Sequence, residues 1–542
     1  MIRAEVKNGV VYSPYPAYEI PQCSFYETFK RCMTKYAEKI LAIDGDVRKC
    51  GSTILRGAEH YAASLQHHGI LPGEFVCAHF QTTLENLVAL LGVLSSGATV
   101  VLSSPTLTTR ELLYQLTDTG ARYIITDEYN AHKARDAMGS HRIKKAFSVG
   151  KVSGFISLGD CGAPITFKEH KVADSSEEVL AILYSSGSTG LPKGMMITHR
   201  NFYCSMHALK NLGIVNEDDV YMAWSPITHV SGFALTIHTI LLGVTTVIQE
   251  PSTSPRDIVK ISNLHKQLFD TFLSQATFWL GFPVKLQVFM NEIEKQGLRL
   301  DPVKKITLGG TAVPDAIARR VIEVFRPTTI LNLYGMSESM GLLTSTLVGE
   351  ITYRNAGAPA ANVQIKIVDP DTGVMLGCGQ SGEIYAKAPS MIKGYFGRPE
   401  ATKAAITPDG WLKTGDCGYY DEDGQLYIVD RLKEMIKCLD MQCAPTELEQ
   451  ILLSHEAVTE ACVIGVPHND YGEAPAAFIV LDNKSKQDKE LIVQQVQDLV
   501  AKQTAVYKRL YGGVLVLDAL PKTGNGKVNR RQLRELCRVS TN

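Results

Sequence analysis

The 542-residue chain has almost no net charge, because neither basic nor acidic residues are in clear excess. Its 55 lysines and arginines nearly balance its 56 aspartates and glutamates, so the field of the whole molecule does not attract nucleic acid or an anionic membrane. With 45% hydrophobic and 20% charged residues, it also lacks the composition of a disordered, collagen-like or coiled-coil protein. Any polyanion must therefore be bound by a local group of basic side chains.

Long hydrophobic runs and a disulfide framework are also missing. The most apolar stretch, Val230–Ile248, is interrupted by His238 and several threonines, which predicts a buried helix and strand rather than a membrane span. The 12 cysteines are scattered and no apolar signal-peptide core precedes them, so we expect reduced thiols. The C-terminal Ser540-Thr541-Asn542 is not a peroxisomal signal. Together these features predict a cytoplasmic protein.

Short apolar runs alternate with amphipathic stretches from Gly51 onward. Runs such as FVCAHF and ATVVLSS lie between helical patterns such as LENLVALLGVLSSG and TTRELLYQLTDTG. This alternation is typical of a parallel sheet covered by helices on both faces. It predicts an α/β fold.

The pattern changes twice in the second half of the chain. After Pro359, short strand patterns separated by Asp-Thr-Gly and Glu-Asp-Gly turns predict a β-rich part, and helix and strand patterns return beyond Asp430. Thr446 and Glu449 fit a capping box at the start of a helix. We therefore predict a large N-terminal domain over residues 1–430, with a β-rich subdomain at about 355–430, and a small α+β C-terminal domain over residues 431–542.

The segment Tyr184–Gly194, YSSGSTGLPKG, is the densest run of glycines and hydroxyl residues. Glycines let backbone N–H groups approach phosphate oxygens, hydroxyls add donors and Lys193 adds a positive charge, so the segment fits the phosphates of a nucleotide. It is not a Walker A loop, because Pro192 stands where that motif has glycine before lysine. A flexible turn is the alternative, but so many phosphate-binding residue types within eleven positions favour a phosphate loop.

Three other patterns do not carry a function. The sequence GCGQSG at 377–382 matches a dinucleotide motif but precedes a strand pattern, whereas that motif needs a following helix. Gly335–Ser339 lacks one glycine of a nucleophile elbow. His60, His67 and His68 have no Cys or acidic partners at metal-ligand spacing, which favours three surface histidines over a zinc site.

Five segments in a fixed order carry a family resemblance. They are YSSGSTGLPKG, LYGMSES at 333–339, GWLKTGD at 410–416, DRLKEMIK at 430–437 and PKTGNGK at 521–527. In order and spacing they resemble the core motifs of the adenylate-forming enzymes, which include acyl-CoA synthetases, 4-coumarate:CoA ligases and firefly luciferases. The resemblance implies a two-step reaction. A carboxylate attacks the α-phosphate of ATP to give an acyl-adenylate and pyrophosphate, and coenzyme A then displaces AMP.

The resemblance also implies how ATP is bound. The glycine-rich segment and Lys193 would hold the β- and γ-phosphates, and Ser337 would bind phosphate. Tyr334 would stack on the adenine, while Asp416, supported by Arg431, would accept hydrogen bonds from both ribose hydroxyls. The residues assigned to ATP in this way, with 309–311 as the adenine-side turn, are Ser185, Ser186, Gly187, Ser188, Thr189, Gly190, Lys193, Gly309, Gly310, Thr311, Tyr334, Gly335, Met336, Ser337, Asp416 and Arg431.

Four further residues would take part in the chemistry. Lys527 would place its ammonium between the reacting carboxylate and the α-phosphate, and Glu338 would bind Mg²⁺. The C-terminal domain would then rotate about Asp430 and bring the Lys437 loop over the site for thiol attack. His229 matches a position near the acyl carboxylate, although a structural role is the alternative.

Two positions depart from the family pattern. Asp440 stands where a glycine is usual, and its bulk and charge would lie near the polyanionic thiol substrate. We expect normal adenylation but slowed or altered thioesterification. Ser231 stands where luciferases carry an aromatic residue, which argues against light emission.

Taken together, the motifs predict an acid–thiol ligase that uses ATP, Mg²⁺ and coenzyme A. The alternatives are a luciferase-type monooxygenase and an adenylate-binding protein whose thioesterification is impaired by Asp440. We expect a small-molecule acid as substrate, no nucleic acid, no membrane span, and a monomer or weak dimer. The acid itself is not determined, and the segments that would line its pocket are Phe272–Phe282, His229–Phe233 and Met340–Leu343.

Overall fold

A computed structural model of the chain describes residues 3–160, 165–185, 192–249, 276–296, 303–310, 313, 315–439, 441–468, 471–482, 488–522 and 527–540. These residues form four β-sheets with helices packed against them. Within the same residues, no helix is both long and apolar enough to cross a membrane.

The first sheet is mainly parallel and fully buried at its centre. Strands TVVL and YIIT have no exposed residue, because helices cover both faces of the sheet. The strands lie in the order β23-β11-β10-β6-β5-β7-β8-β9. They are β5 Phe75–His79, β6 Thr99–Leu102, β7 Tyr123–Thr126, β8 Lys145–Ser148, β9 Ile156–Ser157, β10 Val179–Ser185, β11 Lys193–Thr198 and β23 Gly394–Tyr395.

The second sheet is also mainly parallel and lies beside a separate apolar core. Its order is β19-β17-β16-β15-β14-β12-β13-β3-β4, with β18 paired to β16. The strands are β3 Ile40–Asp44, β4 Val47–Cys50, β12 Val220–Ala223, β13 Thr245–Ile248, β14 Phe278–Gly281, β15 Lys305–Gly309, β16 Thr329–Tyr334, β17 Thr344–Ser345, β18 Ile351–Thr352 and β19 Ala358–Pro359.

The third sheet is antiparallel and contains the β-rich part of the sequence. Its order is β1-β2-β20-β22-β24-β25, with β21 paired to β20. The N-terminal hairpin joins this sheet by pairing β2 with β20, a long-range contact that no local pattern indicates. The strands are β1 Glu5–Lys7, β2 Val10–Tyr12, β20 Gln364–Val368, β21 Met375–Leu376, β22 Gly382–Lys387, β24 Leu412–Tyr420 and β25 Leu426–Arg431.

The fourth sheet is formed by the C-terminal part of the chain. Its order is β27-β26-β29-β28, with β30 paired to β29. It has its own apolar core, in which Ile436, Leu448 and Val463 are buried. The strands are β26 Ile436–Cys438, β27 Met441–Cys443, β28 Val458–His468, β29 Gly472–Leu481 and β30 Val514–Val516.

Several helices of the described residues begin or end at local sequence signals. Helix α4, for example, starts with a capping box between Thr108 and Glu111 and ends at Gly120, whose φ of 67° suits glycine. The helices are α1 Phe25–Lys35, α2 Gly51–His67, α3 Leu84–Ser95, α4 Thr109–Thr119, α5 Ala131–Met138, α6 His199–Asn211, α7 Val230–Leu241, α8 Pro283–Gln296, α9 Asp315–Phe325, α10 Pro399–Ala405, α11 Pro445–Leu453, α12 Lys489–Gln503 and α13 Arg530–Ser540.

Two sequence predictions are confirmed by these elements. The apolar stretch after His229 forms the buried helix α7 and the strand β13, as expected. The sequence GCGQSG lies in an exposed turn that leads into β22 and not into a helix.

The predicted capping box at Thr446 is wrong. Helix α11 begins one residue earlier, at Pro445. Thr446 donates its N–H and its hydroxyl to Oδ2 of Asp430, at 2.9 and 2.8 Å. The Glu449 carboxylate instead accepts from the N–H of Val463 and from Arg530, at 2.8 and 2.7 Å. Thr446 and Glu449 do not cap the helix, because both side chains bind residues of other elements of the fold.

Candidate active site

A buried carboxylate marks the junction between the third sheet and the second. Asp416 lies on β24, directly opposite Arg431 on β25, and is 4% exposed. Its Oδ1 pairs with Nε of Arg431 at 2.7 Å, and its Oδ2 accepts from the hydroxyl of Tyr334 at 2.7 Å. Tyr334 is the last residue of β16 in the second sheet. The structure therefore brings three of the predicted ATP residues into direct contact.

The electrostatics of this group suit a hydrogen-bond acceptor for neutral hydroxyls. Burial raises the pKa of Asp416, while Arg431 and the Tyr334 hydroxyl oppose this effect. Burial and the neighbouring Asp416 raise the pKa of Tyr334, so its phenol stays protonated and donates. Asp416 thus has a buried carboxylate held by one cation and one neutral donor.

Lys527 lies close enough to interact electrostatically with this group. Its loop is closed by a bridge between Lys522 and Val528. Although Lys527 retains solvent exposure, surrounding protein and then the charge of Arg431 lower its pKa, and the charge of Asp416 opposes them. The predicted catalytic lysine of the C-terminal part therefore lies within electrostatic range of Asp416 and Arg431.

Glu338 and Lys193 meet the same tyrosine. Glu338 lies in a short 3₁₀ helix, Ser337–Ser339, three residues after β16 ends. Its Oε1 accepts from the hydroxyl of Tyr395 at 2.9 Å, and the Lys193 ammonium lies over the Tyr395 ring, 5.3 Å from the centroid. The predicted metal and phosphate residues are thus neighbours across one aromatic ring.

Both ends of the glycine-rich segment are held by helix α4. Strands β10 and β11 flank the segment, with Ser185 paired to Lys193. The hydroxyl of Tyr114 donates to the carbonyl of Pro192 at 2.9 Å, and the hydroxyl of Tyr184 donates to Oδ2 of Asp118 at 2.8 Å. The five predicted phosphate residues between these ends, Ser186, Gly187, Ser188, Thr189 and Gly190, lie outside the described residues.

Two glycines among the predicted ATP residues are required by the backbone. Gly310 has a φ of 80°, in the left-handed region that disfavours other residues. A Cβ at Gly335 would lie 1.3 Å from the carbonyl oxygen of Gly341, so no side chain fits there. The N–H of Met336 donates to Oγ of Ser339, which closes this turn. Thr311 lies outside the described residues.

His229 caps helix α7 through its own side chain. Its Nδ1 accepts from the N–H of Ser231 at 3.3 Å and lies 2.8 Å from the Ser231 hydroxyl. The ring is thereby oriented by Ser231, the residue that replaces the luciferase aromatic. This geometry is compatible with both a structural and a substrate-facing role for His229.

Lys437 lies in the C-terminal part, in a different environment from Lys527. Its N–H donates to Oε2 of Glu473 at 2.9 Å, and its exposed side chain lines a cavity of about 590 Å³. Leu439, with a φ of 54°, follows in the connection between β26 and β27. Asp440 is outside the described residues, so the expectation of altered thioesterification stays a prediction.

Three residues of this region are not identified by any motif of the sequence. Tyr114, Asp118 and Tyr395 contact predicted site residues or the ends of the glycine-rich segment. Each is an isolated polar residue within a helix or strand pattern, and its partner is far away in the sequence. Only the adjacency of β23 and β11, which the fold creates, would have identified Tyr395.

Two family models match the chain. The AMP-binding enzyme model matches residues 29–396, and the AMP-binding enzyme C-terminal domain model matches residues 447–527. The predicted boundary at residues 430 and 431 and the predicted residue roles are not tested by these matches.

Curated relatives are similar over most of the chain. Peroxisomal OPC-8:0-CoA ligase 1 of Arabidopsis thaliana is 31% identical over 492 residues, which are 89% of this chain and 87% of that protein. 4-coumarate–CoA ligase-like 6 of Oryza sativa subsp. japonica is 33% identical over 501 residues, which are 87% of this chain and 79% of that protein. Both are named as CoA ligases.

Solved structures have the same fold. An anthranilate CoA ligase in complex with anthranoyl-AMP superposes with a TM-score of 0.86 over 97% of this chain and 99% of that one, and its 22% identity supports the fold alone. The o-succinylbenzoate CoA synthetase of Bacillus subtilis in complex with its acyl-adenylate is 27% identical, with a TM-score of 0.77 over 94% and 97% of the two chains.

These findings confirm the predicted fold class and the predicted enzyme class. The relatives and the family models agree with an AMP-forming acid–thiol ligase, and they favour neither a luciferase-type monooxygenase nor an adenylate-binding protein with impaired thioesterification. The chain belongs to the AMP-binding enzyme family, whose members include the adenylate-forming CoA ligases.

Proposed function

We propose that the protein activates a carboxylic acid with ATP and transfers the acyl group to coenzyme A. The observation that carries the proposal is the contact of Asp416 with Tyr334 and Arg431, because it joins the second and third sheets at one point, with Lys527 of the C-terminal part in electrostatic range. The family and the names of the relatives support the same reaction.

In this mechanism the chain's residues neutralise two anions and hold them in line. Asp416 accepts hydrogen bonds from the ribose hydroxyls, and Tyr334 lies against the adenine. Lys193 and the glycine-rich segment bind the β- and γ-phosphates. Lys527 then brings its ammonium between the substrate carboxylate and the α-phosphate, where negative charge accumulates as the acyl-adenylate forms.

The residues present fit a magnesium ion bound together with ATP. Magnesium is usually held by one or two carboxylates plus substrate phosphates and waters, and not by a full protein cage. The described part of the chain contains no group of three His, Cys, Asp or Glu side chains arranged for a metal, but Glu338 supplies one carboxylate near Lys193. Glu338 would hold the ion, which neutralises phosphate charge when bound.

We propose an acid with an apolar body as the substrate. The segments expected to line the acyl pocket contain buried apolar residues, among them Phe233, Leu280, Met340 and Leu343. Relatives are named for OPC-8:0 and for 4-coumarate. A cytoplasmic location and a monomeric or weakly dimeric state remain predictions from the sequence.

Carboxylate-dependent exchange of pyrophosphate into ATP tests the adenylation step. We expect exchange with a subset of a panel of aromatic and fatty acids, and loss of at least about 100-fold in Lys527→Ala, because a preorganised charge at the reacting phosphate is removed. Lys522→Ala is the matched control, since Lys522 lies on the same loop but pairs with Glu460 at 2.7 Å. Its exchange rate should equal that of the wild type.

The second step is tested by adding coenzyme A. We expect formation of the acyl-CoA, AMP and pyrophosphate in equal amounts with the best acid. Exchange without any acyl-CoA product would contradict the ligase assignment, and absence of exchange with every acid would contradict the adenylation step.

A further inference from the structure

Tyr395 contacts two residues that the proposed mechanism places at the triphosphate. Its hydroxyl donates to Oε1 of Glu338 at 2.9 Å. The Lys193 ammonium lies 5.3 Å from the centroid of its ring, within the range of a cation–π contact. A single half-buried side chain therefore links the expected metal ligand and the expected phosphate cation.

The backbone explains why this tyrosine reaches both. Strand β23 pairs antiparallel with β11, and Tyr395 is directly opposite Met195. Side chains two positions apart on a strand share a face, so Lys193 is the diagonal neighbour of Tyr395. The N–H of Ile392 donates to the carbonyl of Glu338 at 2.9 Å, which holds the Glu338 backbone beside the same segment.

Glu338 and Lys193 have opposite charges but do not form an ion pair with each other. Both side chains are described, and both instead contact Tyr395. The Tyr395 hydroxyl is the donor in its hydrogen bond to the Glu338 carboxylate. The Tyr395 ring offers its electron-rich face to the Lys193 ammonium, and the Tyr395 hydroxyl donates a hydrogen bond to one oxygen of the Glu338 carboxylate.

We infer that Tyr395 is a positioning residue that keeps the Glu338 carboxylate available for magnesium and the Lys193 ammonium available for phosphate. Direct pairing of the two charges would remove both from ATP. Tyr395 prevents this by offering each of them a separate neutral partner. The inference rests on the proposed function, and it assigns Tyr395 a role that acts through Glu338 and Lys193.

Two substitutions separate the hydroxyl from the ring. Tyr395→Phe keeps the ring over Lys193 and removes the hydrogen bond to Glu338. Tyr395→Leu removes both contacts. ATP binding is measured by isothermal titration calorimetry with the metal-free nucleotide and across a series of Mg²⁺ concentrations, so that the readout does not depend on turnover.

For Tyr395→Phe we expect the Mg²⁺ concentration that gives half-maximal enhancement of ATP binding to rise roughly tenfold, as for loss of a hydrogen bond to a charged group. Binding of metal-free ATP should be unchanged. For Tyr395→Leu we expect the same Mg²⁺ shift, and metal-free ATP binding weaker by roughly fivefold, as for loss of a cation–π contact. A Tyr395→Phe protein with the Mg²⁺ dependence of the wild type would overturn the inference.

Two controls test whether Tyr395→Phe changes the Mg²⁺ dependence of ATP binding through Glu338. Tyr26→Phe removes another tyrosine–carboxylate hydrogen bond, to Glu59 at 2.6 Å, and should leave the Mg²⁺ dependence unchanged. In a Glu338→Gln background, Tyr395→Phe should have no further effect on the Mg²⁺ dependence, and an additional shift would overturn the inference. If the wild-type protein binds no ATP, both the proposed function and the inference about Tyr395 are overturned. If the wild type binds ATP and Tyr395→Phe has the same Mg²⁺ dependence, only the inference is overturned.

Discussion

At the scale of single residues, the site depends on how Asp416, Arg431 and Lys527 share charge. Asp416 is buried and carries the Arg431 guanidinium on one oxygen and the Tyr334 hydroxyl on the other. Lys527 is repelled by Arg431 and attracted by Asp416. The charges of Arg431 and Lys527 therefore both act on the buried carboxylate of Asp416 or on each other.

The lowered pKa of Lys527 predicts the alkaline limit of adenylation. Desolvation by the surrounding protein and the charge of Arg431 lower the pKa of Lys527 from its usual value of 10.5 in the protein without ATP. As the pH rises through this lowered pKa, Lys527 loses its proton and kcat/KM for exchange, which reports the free enzyme, should fall with a descending limb below pH 10.5. The measurement is kcat/KM for ATP in carboxylate-dependent pyrophosphate exchange as a function of pH.

Lys527→Arg provides the comparison for this pH dependence. A guanidinium stays charged throughout the range, so the residual exchange of the variant should not show that alkaline decrease. If both proteins show the same alkaline decrease, a group other than Lys527 causes it. Tyr334 does not interfere, because burial and Asp416 raise its pKa.

At the scale of elements, helix α4 positions the glycine-rich segment without being part of it. Tyr114 and Asp118 lie on one helix, one turn apart, and they bind Pro192 and Tyr184 on either side of the segment. Arg398 pairs with the other Asp118 oxygen at 2.6 Å, which holds that carboxylate in place. The two ends of the segment are therefore held at a set separation by one rigid element.

Removal of one of these contacts should weaken ATP binding without unfolding the protein. In Tyr114→Phe the ring remains and only the hydrogen bond to the Pro192 carbonyl is lost, at a cost of about 1 kcal/mol. We expect the KM for ATP to rise several-fold and the KM for the acid to stay constant. Steady-state kinetics with each substrate varied in turn measure both constants.

A matched variant checks that the effect is local. The hydroxyl of Tyr18 also donates to a backbone carbonyl, that of Cys204, at 3.0 Å and away from the glycine-rich segment. Tyr18→Phe should lose similar stability, measured as Tm, but keep the wild-type KM for ATP. Equal KM values in all three proteins would show that α4 does not position the segment.

At the scale of the whole molecule, the C-terminal part is held in its present orientation by contacts at Asp430. The Asp430 carboxylate accepts both Thr446 donors at the start of α11. Helix α11 carries Glu449, which binds Arg530 three residues after Lys527, and Arg534 binds Glu434 at 2.6 Å. Polar contacts thus connect the predicted hinge, through α11, to Arg530 at the start of α13, three residues after the predicted catalytic lysine.

Thr446→Val should change the balance between the two half-reactions. If the C-terminal part rotates about Asp430, the contact with Thr446 favours the orientation that presents Lys527. Loss of the hydroxyl removes about 1 kcal/mol of this preference. We expect pyrophosphate exchange to decrease several-fold while acyl-CoA formation from preformed acyl-adenylate is unchanged or faster. Single-turnover rates of the two steps provide the measurement.

Thr459→Val is the control for this substitution. The Thr459 hydroxyl donates to the carbonyl of Val480 at 3.0 Å within the fourth sheet, away from Asp430. In Thr459→Val, the rates of adenylation and of acyl-CoA formation should keep the same ratio as in the wild type. A Thr446→Val protein with that same ratio would show that the Asp430 contact does not bias the orientation.

Much of the fold was predictable because its signals are local. Short apolar runs and helical patterns predict β5, α3, β6 and α4, and the apolar stretch at α7 and β13 is buried as its sequence predicts. The N-terminal hairpin and the start of α11 were not predictable. The first depends on pairing of β2 with β20, and the second on a carboxylate sixteen residues away in the chain.

The sequence by itself determined the family, the α/β class and the identity of Asp416, Tyr334, Arg431 and Lys527 as candidate residues, because motif order and periodicity are properties of the chain. Only the tertiary structure decided that Asp416 contacts Tyr334 and Arg431 with Lys527 in electrostatic range, that α4 holds both ends of the glycine-rich segment, and that Tyr395 contacts both Glu338 and Lys193. Contacts of this kind join residues that are distant in the sequence, so they exist only once the sheets are assembled.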